Sequence, residues 1–232
     1  MKRSISLNLF LCFTIGMILC SCKEEEINLA VQCEGLELDF GPYTLSESSR
    51  MLFPYTDKVQ RLIFTDAMNA EYEFDLDTTG KSLRSIFYLN ECPYDPLQEI
   101  TFRLHRETCY ALFTNEELEI LLQLQFVALS YLDDTTLIGE TDVLYLNVLD
   151  KDFNPSPVLR FQLKHKHGTN FWSPIDAQDS VLINHHLFSD VYFQPIGELP
   201  QQEWIGYFNF EEGIVGLEHV SGSPVLSLER IE

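Results

Sequence analysis

Apolar and polar side chains alternate with a period of two along much of the chain, and helical periodicity is scarce. The clearest stretch is residues 118–128, where six apolar positions recur at every second residue with Glu and Gln among those between them. This is the periodicity of a β-strand that buries one face. A rival signal lies just before it, since Thr114 and Glu117 have the spacing of a helix capping box. The longer alternation favours a strand.

Shorter segments rich in aromatic and β-branched residues predict further strands. They are residues 59–65, 70–76, 83–89, 100–104, 108–113, 143–149, 158–164, 191–194, 205–210, 213–218 and 225–230. Polar residues predict a hairpin turn at 105–107 and another turn at 150–155. Short helices are expected only around 45–50 and 175–180. We therefore predict an all-β protein, an antiparallel β-sandwich or barrel-like meander with at most short helices.

Composition narrows the classes of partner. The chain has 232 residues, 45% of them hydrophobic, and 15 basic against 36 acidic residues give a formal net charge of −21. This apolar share is that of a folded domain rather than a disordered chain. The acidity argues against nucleic acid and bare anionic membrane as partners, because both repel a polyanion.

The first residues have the pattern of an export signal. Lys2 and Arg3 precede an almost purely apolar run at residues 5–19, which is shorter than the roughly 18–20 residues of a membrane-spanning helix. The predicted signal peptide is residues 1–21, with an ordinary cleaved signal or a short anchor helix as the alternatives. Its removal takes away two basic residues and no acid, so the negative charge of the remaining chain increases.

The end of this segment, Leu19-Cys20-Ser21-Cys22, resembles the lipobox of bacterial lipoproteins. The resemblance implies that Cys22 becomes the first residue and carries an S-diacylglycerol group and an N-palmitoyl group. Several acyl chains on one residue suffice for stable membrane anchoring. Residues 22–32 would then be the lipidated Cys with an acidic tether, and residues 33–232 a single β-rich domain.

Two further stretches resemble uncharacterised Bacteroidota outer-membrane lipoproteins. The run Lys23-Glu24-Glu25-Glu26 is similar to their surface-export signal, with a simple solvated tether as the alternative. Residues 183–192 and 207–218 resemble their C-terminal end, in which a strand near Asp-Val-Tyr precedes a hairpin with a Gly-Ile-Val-Gly core. A Trp common in their last strand is absent here. The resemblance implies an outer-membrane location and a closing β-meander, and it carries no activity.

Besides Cys22, the exported chain would contain Cys33, Cys92 and Cys109. Disulfides form in exported proteins, and three cysteines permit one bridge with one free thiol, or none. Proximity in the sequence favours a Cys92–Cys109 bridge.

Candidate metal ligands are His165, His167, His185, Asp150, Asp152 and Asn154. Imidazole with carboxylate suits zinc, and the Asp-x-Asp-x-Asn spacing matches the first half of an EF-hand calcium loop. Pro155 and Phe161 stand where that loop requires Gly and Glu, however. The favoured interpretation is therefore exposed histidines and a β-turn, with no cofactor, and calcium or zinc is the alternative.

No motif marks a catalytic centre, since a Gly-x-Ser-x-Gly elbow, a His-Glu-x-x-His motif and a phosphate loop are absent from the sequence. Phe171 and Trp172, in a polar stretch, are candidates to stack on a sugar or anchor a protein partner, unless they close the end of the sandwich. We expect a membrane-anchored binding or assembly module of the cell envelope, with a protein or glycan partner. The alternative is an envelope glycan hydrolase with an unmarked carboxylate pair.

Overall fold

The structure, a computed structural model, describes residues 37–56, 58–92, 95–133, 136–168 and 175–232, with side chains left undescribed at 87–100, 132–133 and 136. Across these residues the chain is almost entirely antiparallel β, which confirms the predicted all-β class. The elements are β1 (Glu37–Tyr43), α1 (Glu47–Met51), β2 (Arg61–Thr65), β3 (Glu71–Cys92), β4 (Asp95–Asn115), β5 (Ile120–Asp133), β6 (Thr136–Leu149), β7 (Pro155–Gly168), β8 (Gln178–Ile183), β9 (His186–Val191), β10 (Trp204–Asn209), β11 (Gly213–His219) and β12 (Val225–Ile231). No described helix is long and apolar enough to cross a membrane.

Ten strands form one sheet with the order β10-β11-β12-β2-β3-β4-β5-β6-β7, and β1 pairs with β4 beside this path. β8 and β9 form a separate two-stranded sheet. Consecutive strands are therefore mostly neighbours, which is the meander that short polar turns predict.

Residue contacts divide the chain into two compact units. The larger combines residues 39–88 with 102–232, and the smaller includes, among the described residues, 37–38 and the stretch 89–101 where β3 ends and β4 begins. The core and the sites discussed below lie in the larger unit. The single domain expected over 33–232 stays a prediction.

β5 confirms the strand predicted from strict alternation. Leu122, Leu124 and Phe126 are fully buried, while the residues between them are partly exposed. The strand begins at Ile120 rather than 118, because Glu119 has a positive φ of 53° and belongs to the turn. The alternating positions of a strand point to opposite faces, so this strand contributes one face to the core.

The hairpin turn predicted at 105–107 is wrong, because β4 runs without interruption through these residues. The buried positions change from even to odd numbers between Leu104 and Cys109, so the set of residues that faces the core shifts by one position within a continuous strand. Glu107 does not turn towards solvent in a loop; its carboxylate accepts a hydrogen bond from the Leu45 backbone N–H at 2.9 Å. Glu107 therefore has its hydrogen-bond partner in a distant part of the chain, although the local sequence around it resembles a turn.

The helix predicted around 175–180 is also wrong, whereas the one around 45–50 is confirmed by α1. β8 begins at Gln178, and Val181 is paired with Phe188 of β9. Pairing with β9 gives the backbone of these residues hydrogen-bond partners, whereas an isolated helix of six residues would be only marginally stable.

Residues 43–55, which we call the strap, pack against the core of the larger unit. Tyr55 is buried, its ring lies edge-on to Phe113 at 4.9 Å between centroids, and its hydroxyl accepts a hydrogen bond from the Ile214 N–H at 2.7 Å. The strap thus satisfies a backbone donor of β11 from a distant part of the sequence.

The polar side of the strap is held by two acidic residues of the sheet. Glu107 binds the guanidinium of Arg50 through both oxygens, at 2.9 and 2.6 Å. Asp142, fully buried, accepts a hydrogen bond from the Ser49 hydroxyl at 2.8 Å and pairs with Lys166 Nζ at 2.8 Å. Both carboxylates therefore bind residues of the strap and hold it against the sheet.

The sheet is nearly closed into a barrel-like form, in which its end strands β7 and β10 approach one another. Gly206 of β10 lies so close to β6 and β7 that an added Cβ would be 2.8 Å from atoms of Leu146 and Val158. Beside it, Phe161 of β7 stacks on Tyr192 at 4.8 Å between ring centroids, and the backbone of Tyr192 is bridged to Phe208 of β10. Side-chain packing thus closes the sheet between β7 and β10, the two end strands of the hydrogen-bonded order.

Candidate functional site

A cleft of about 260 Å³ lies where the β6–β7 turn meets the segment that leads into β10. Its lining residues are Ile120, Val148, Asp150, Asn154, Pro155, Ser156, Gln201, Glu203 and Trp204. Apolar strand ends form part of the wall, and polar side chains from two loops form the rest. Such a mixture is typical of small-molecule sites, in which a few polar groups set orientation.

The turn side of the cleft is organised by Asp150. One carboxylate oxygen accepts hydrogen bonds from the backbone N–H groups of Asp152 and Asn154, at 2.9 and 2.8 Å, and the other accepts one from the Asn154 side chain at 2.9 Å. This confirms the predicted β-turn, in which Phe153 takes a positive φ of 62°. The hydrogen bonds from Asn154 lower the pKa of the Asp150 carboxyl below its ordinary value. Asp150 therefore brings a stable negative charge to the cleft.

Ser156 connects the turn side with the facing segment. Its hydroxyl donates to the Gln201 carbonyl at 3.3 Å and accepts from the Glu203 N–H at 3.0 Å. The carbonyl of Glu203 in turn accepts from the Val220 N–H at 2.9 Å. Because both ends of this segment are tied to the barrel, the exposed Glu203 side chain extends from a fixed backbone.

Trp204 supplies the aromatic part of the lining. Its side chain is 8% exposed and lies edge-on to the His219 ring, with 4.9 Å between centroids. A Trp held by packing offers a rigid apolar surface and an indole N–H donor at low entropic cost.

The lining contains two carboxylates and two amide side chains and no basic residue. Carboxylates accept hydrogen bonds, whereas the amides of Asn154 and Gln201 both donate and accept. The cleft is therefore suited to hydroxyl groups or a cationic group, and it disfavours anions.

The structure does not gather the candidate metal ligands into one site. His165 and His167 lie on β7, His185 lies in the turn between β8 and β9, and His167 Nε2 is 3.3 Å from Glu140 Oε1. Within the part of the chain that the structure describes, no group of three or more His, Cys, Asp or Glu side chains could hold a metal ion. Asp150 and Asn154, by contrast, line the cleft while Asp152 only supplies its backbone to the turn.

Cys109 is a free, buried thiol in the hydrophobic core, so the structure contradicts the expected Cys92–Cys109 bridge. Closeness in sequence was a poor guide, because residues along one pair of long strands are separated by about 3.3 Å per residue. Burial raises the pKa of this thiol. Cys22, Phe171 and Trp172, and the side chain of Cys92, lie outside the described residues.

Sequence reasoning missed Gln201, Glu203 and Trp204. The available signal was a Trp directly after the polar run Pro200-Gln201-Gln202-Glu203 and directly before the strand predicted at 205–210. Such a position is common for a core residue, so it did not point to a cleft.

Comparison of the chain with protein-family models, with curated proteins and with solved structures found no match.

Proposed function

We propose that the protein is a lipid-anchored binding module of the bacterial cell envelope that holds one small polar unit, such as a sugar of an envelope glycan, in the Asp150–Trp204 cleft. The observation that carries this proposal is the combination, in one cleft, of fixed carboxylate and amide groups with a packed Trp. Sugar hydroxyls match acceptors and donors of this kind, and aromatic rings suit their C–H faces.

The hydrogen bonding of Asp150 favours a role in ligand binding over a role as the general acid of glycoside hydrolysis. Hydrolysis by two carboxyl groups requires one of them to stay protonated as the general acid, which needs a raised pKa. The pKa of Asp150 is instead lowered by its hydrogen bonds from Asn154. Asp150 is therefore suited to accept hydrogen bonds rather than to deliver a proton.

The size of the cleft limits its occupant. At about 260 Å³ it is smaller than the roughly 300–1,000 Å³ of typical ligand pockets. One sugar unit fits such a volume, and a single unit binds weakly. Many copies confined to a membrane would raise the effective concentration, so that weak sites act together on a repetitive glycan.

Ligand-observed NMR against a panel of neutral, amino and acidic mono- and disaccharides tests the cleft. We expect binding of neutral or amino sugars and none of uronic acids. Glu203→Gln and Gln201→Ala should weaken binding several-fold, whereas Glu198→Gln, an exposed acid outside the lining, should not. Equal binding by all three variants, or preferential binding of uronic acids, would contradict the proposal.

The anchor needs its own test, because it rests on the resemblance of residues 19–22 to a lipobox. Labelling of expressing bacteria with an alkyne fatty acid should modify the protein, and Cys22→Ala should abolish the label. Cys20→Ala serves as the matched control and should leave the label in place. A label that survives Cys22→Ala would exclude lipidation at this position.

A further inference from the structure

Three side chains outside the cleft form a hydrogen-bonded row. Ser85 Oγ lies 2.9 Å from His105 Nδ1, and His105 Nε2 lies 3.3 Å from Asp39 Oδ2. Nucleophile, base and orienting carboxylate within hydrogen-bond reach of one another are the geometric signature of a catalytic triad, whatever their order in the chain.

Strand pairing explains the row. Ser85 lies on β3, His105 on β4 and Asp39 on β1, and β4 pairs with both of the other strands. Neighbouring positions face the other way, since Phe40 stacks on the buried Phe102 with 5.8 Å between ring centroids. Asp39, His105 and Ser85 therefore share the outer face, where Ser85 is exposed to solvent.

The two hydrogen bonds of His105 act together. If Nε2 carries the proton and donates it to the Asp39 carboxylate, Nδ1 is left as an acceptor for the Ser85 hydroxyl. The carboxylate thus selects the tautomer in which the imidazole can take a proton from serine. The roles of the two ring nitrogens are exchanged relative to serine proteases, but the same proton path results.

The carboxylate of Asp39 is held in an ionised and oriented state. Its Oδ1 accepts a hydrogen bond from the Gly41 backbone N–H at 2.8 Å. That hydrogen bond, with a smaller contribution from His105, lowers the pKa of Asp39. An ionised Asp39 stabilises the imidazolium that forms when His105 accepts a proton.

We propose that Ser85, His105 and Asp39 form a hydrolytic triad that cleaves small acyl esters, independently of the cleft. Ser85 Oγ bonds to the ester carbonyl carbon as its proton moves to His105 Nδ1. The bond from that carbon to the leaving alcohol then breaks, and the alkoxide takes the proton from His105. Water, losing a proton to Nδ1, attacks the acyl-serine; the bond to Oγ breaks and Oγ regains a proton. One ester and one water thus give one acid and one alcohol.

The surroundings of Ser85 indicate a short acyl group. The site lies on an exposed face, so it cannot enclose a long chain. Leu83, two residues before Ser85 on the same face, is 57% exposed and offers one apolar contact. Acetyl and similarly small esters are the substrates that this face can orient.

The chain contains a natural comparison for the triad. Ser221 Oγ lies 2.7 Å from His219 Nδ1, and both are partly or fully exposed. Among the described residues no carboxylate contacts the His219 ring. In this pair no acid orients the base, and the Ser221 hydroxyl also donates to the Ser223 carbonyl at 3.1 Å, so a specific effect at Ser85 should not occur at Ser221.

Hydrolysis of p-nitrophenyl acetate and labelling by a fluorophosphonate, mapped by peptide mass spectrometry, test the proposal. We expect the label on Ser85 and not on Ser221, and a fall of about a hundredfold in the protein-dependent rate for Ser85→Ala and His105→Ala. Ser221→Ala should keep the rate. Labelling of the unaltered protein makes the test independent of whether a variant folds.

Asp39 is a positioning residue, and its variants separate this role from a structural one. Asp39→Asn should lower kcat with KM nearly unchanged, and Asp39→Glu should restore part of kcat. An unchanged rate in Ser85→Ala, equal labelling of Ser221, or no label on Ser85 in the unaltered protein would overturn the proposal.

Discussion

Lys166 Nζ lies 2.8 Å from Asp142 Oδ1, and the Asp142 side chain is completely buried between β7 and the strap. The other oxygen of Asp142 accepts hydrogen bonds from the Ser46 N–H and the Ser49 hydroxyl. Lys166 also donates to the Thr44 carbonyl at 2.6 Å. This network joins two sheet strands to the strap, so its loss affects the whole assembly of the larger unit.

Asp142→Ala should lower the free energy of unfolding by about 3–5 kcal/mol, because it removes the ion-pair partner of Lys166 and the acceptor of two strap donors, the Ser46 N–H and the Ser49 hydroxyl. Urea denaturation followed by tryptophan fluorescence measures the change. Asp152→Ala, an exposed acid of the β6–β7 turn, is the control and should stay within about 0.5 kcal/mol of the unaltered protein. Equal stabilities of the two variants would show that the ion pair does not hold the strap.

Gly206→Ala tests the closure of the sheet. The added methyl would meet side-chain atoms of Leu146 and Val158 at 2.8 Å, so these buried side chains or the strands that carry them must shift, at a cost of about 1–3 kcal/mol. Gly80→Ala is a matched control, because its methyl would lie 3.4 Å from Tyr110, an ordinary contact. Thermal unfolding compares the two variants. A Gly206→Ala protein as stable as Gly80→Ala would mean that β7 and β10 are not closely packed.

The Asp150 turn should make stability depend on pH at the acidic end. Hydrogen bonds from Asn154 lower the pKa of Asp150 from an ordinary 3.8, so the unfolded chain binds the proton more readily. The stabilisation is present above pH of about 4 and is lost as the pH falls through the lower folded pKa.

Asp150→Asn should therefore lose stability relative to the unaltered protein at pH 6, and this difference should shrink below pH of about 4. Urea midpoints at several pH values measure the difference. Asp152→Asn, in the same turn, controls for net charge. A difference that stays constant across the acidic range would contradict the expected role of the carboxylate.

Cys109 should resist modification in the folded protein, because it is buried in the core and its pKa is raised. Peptide mapping after iodoacetamide treatment at pH 8 should find Cys109 unmodified in buffer and fully modified in urea. Cross-linked peptides containing Cys92 and Cys109, or rapid modification in buffer, would contradict a free buried thiol.

Local patterns predicted much of the secondary structure, and the exceptions share a cause. The alternation in β5 and the turn at Asp150 depend on neighbouring residues, and both are confirmed. The break expected at 105–107 failed because the polar Glu107 finds its partners, Leu45 and Arg50, far away in the chain. The local sequence shows where polar side chains lie. It does not show whether their hydrogen-bond partners are water molecules or residues of a distant segment.

The candidate sites were harder to predict from the sequence than the strands and turns. Asp150 and Asn154 were considered as calcium ligands, and the structure places them in a cleft with Trp204, which no spacing rule connects with them. The row of Ser85, His105 and Asp39 has no motif either, since its members lie on three strands. Only the pairing of those strands brings them together.

The sequence by itself determined the all-β class, most strand positions and the turn at 150–155, because a period of two and turn-forming residues act over a few neighbours. The sequence also contains the lipobox-like segment 19–22, a local signal from which we expect lipidation of Cys22. The tertiary structure decided the closure of the sheet at Gly206, the buried network at Asp142, the cleft and the hydrogen-bonded row of Ser85, His105 and Asp39. Each of these depends on which strands pair and in which register, and register is set by the burial of many distant side chains at once.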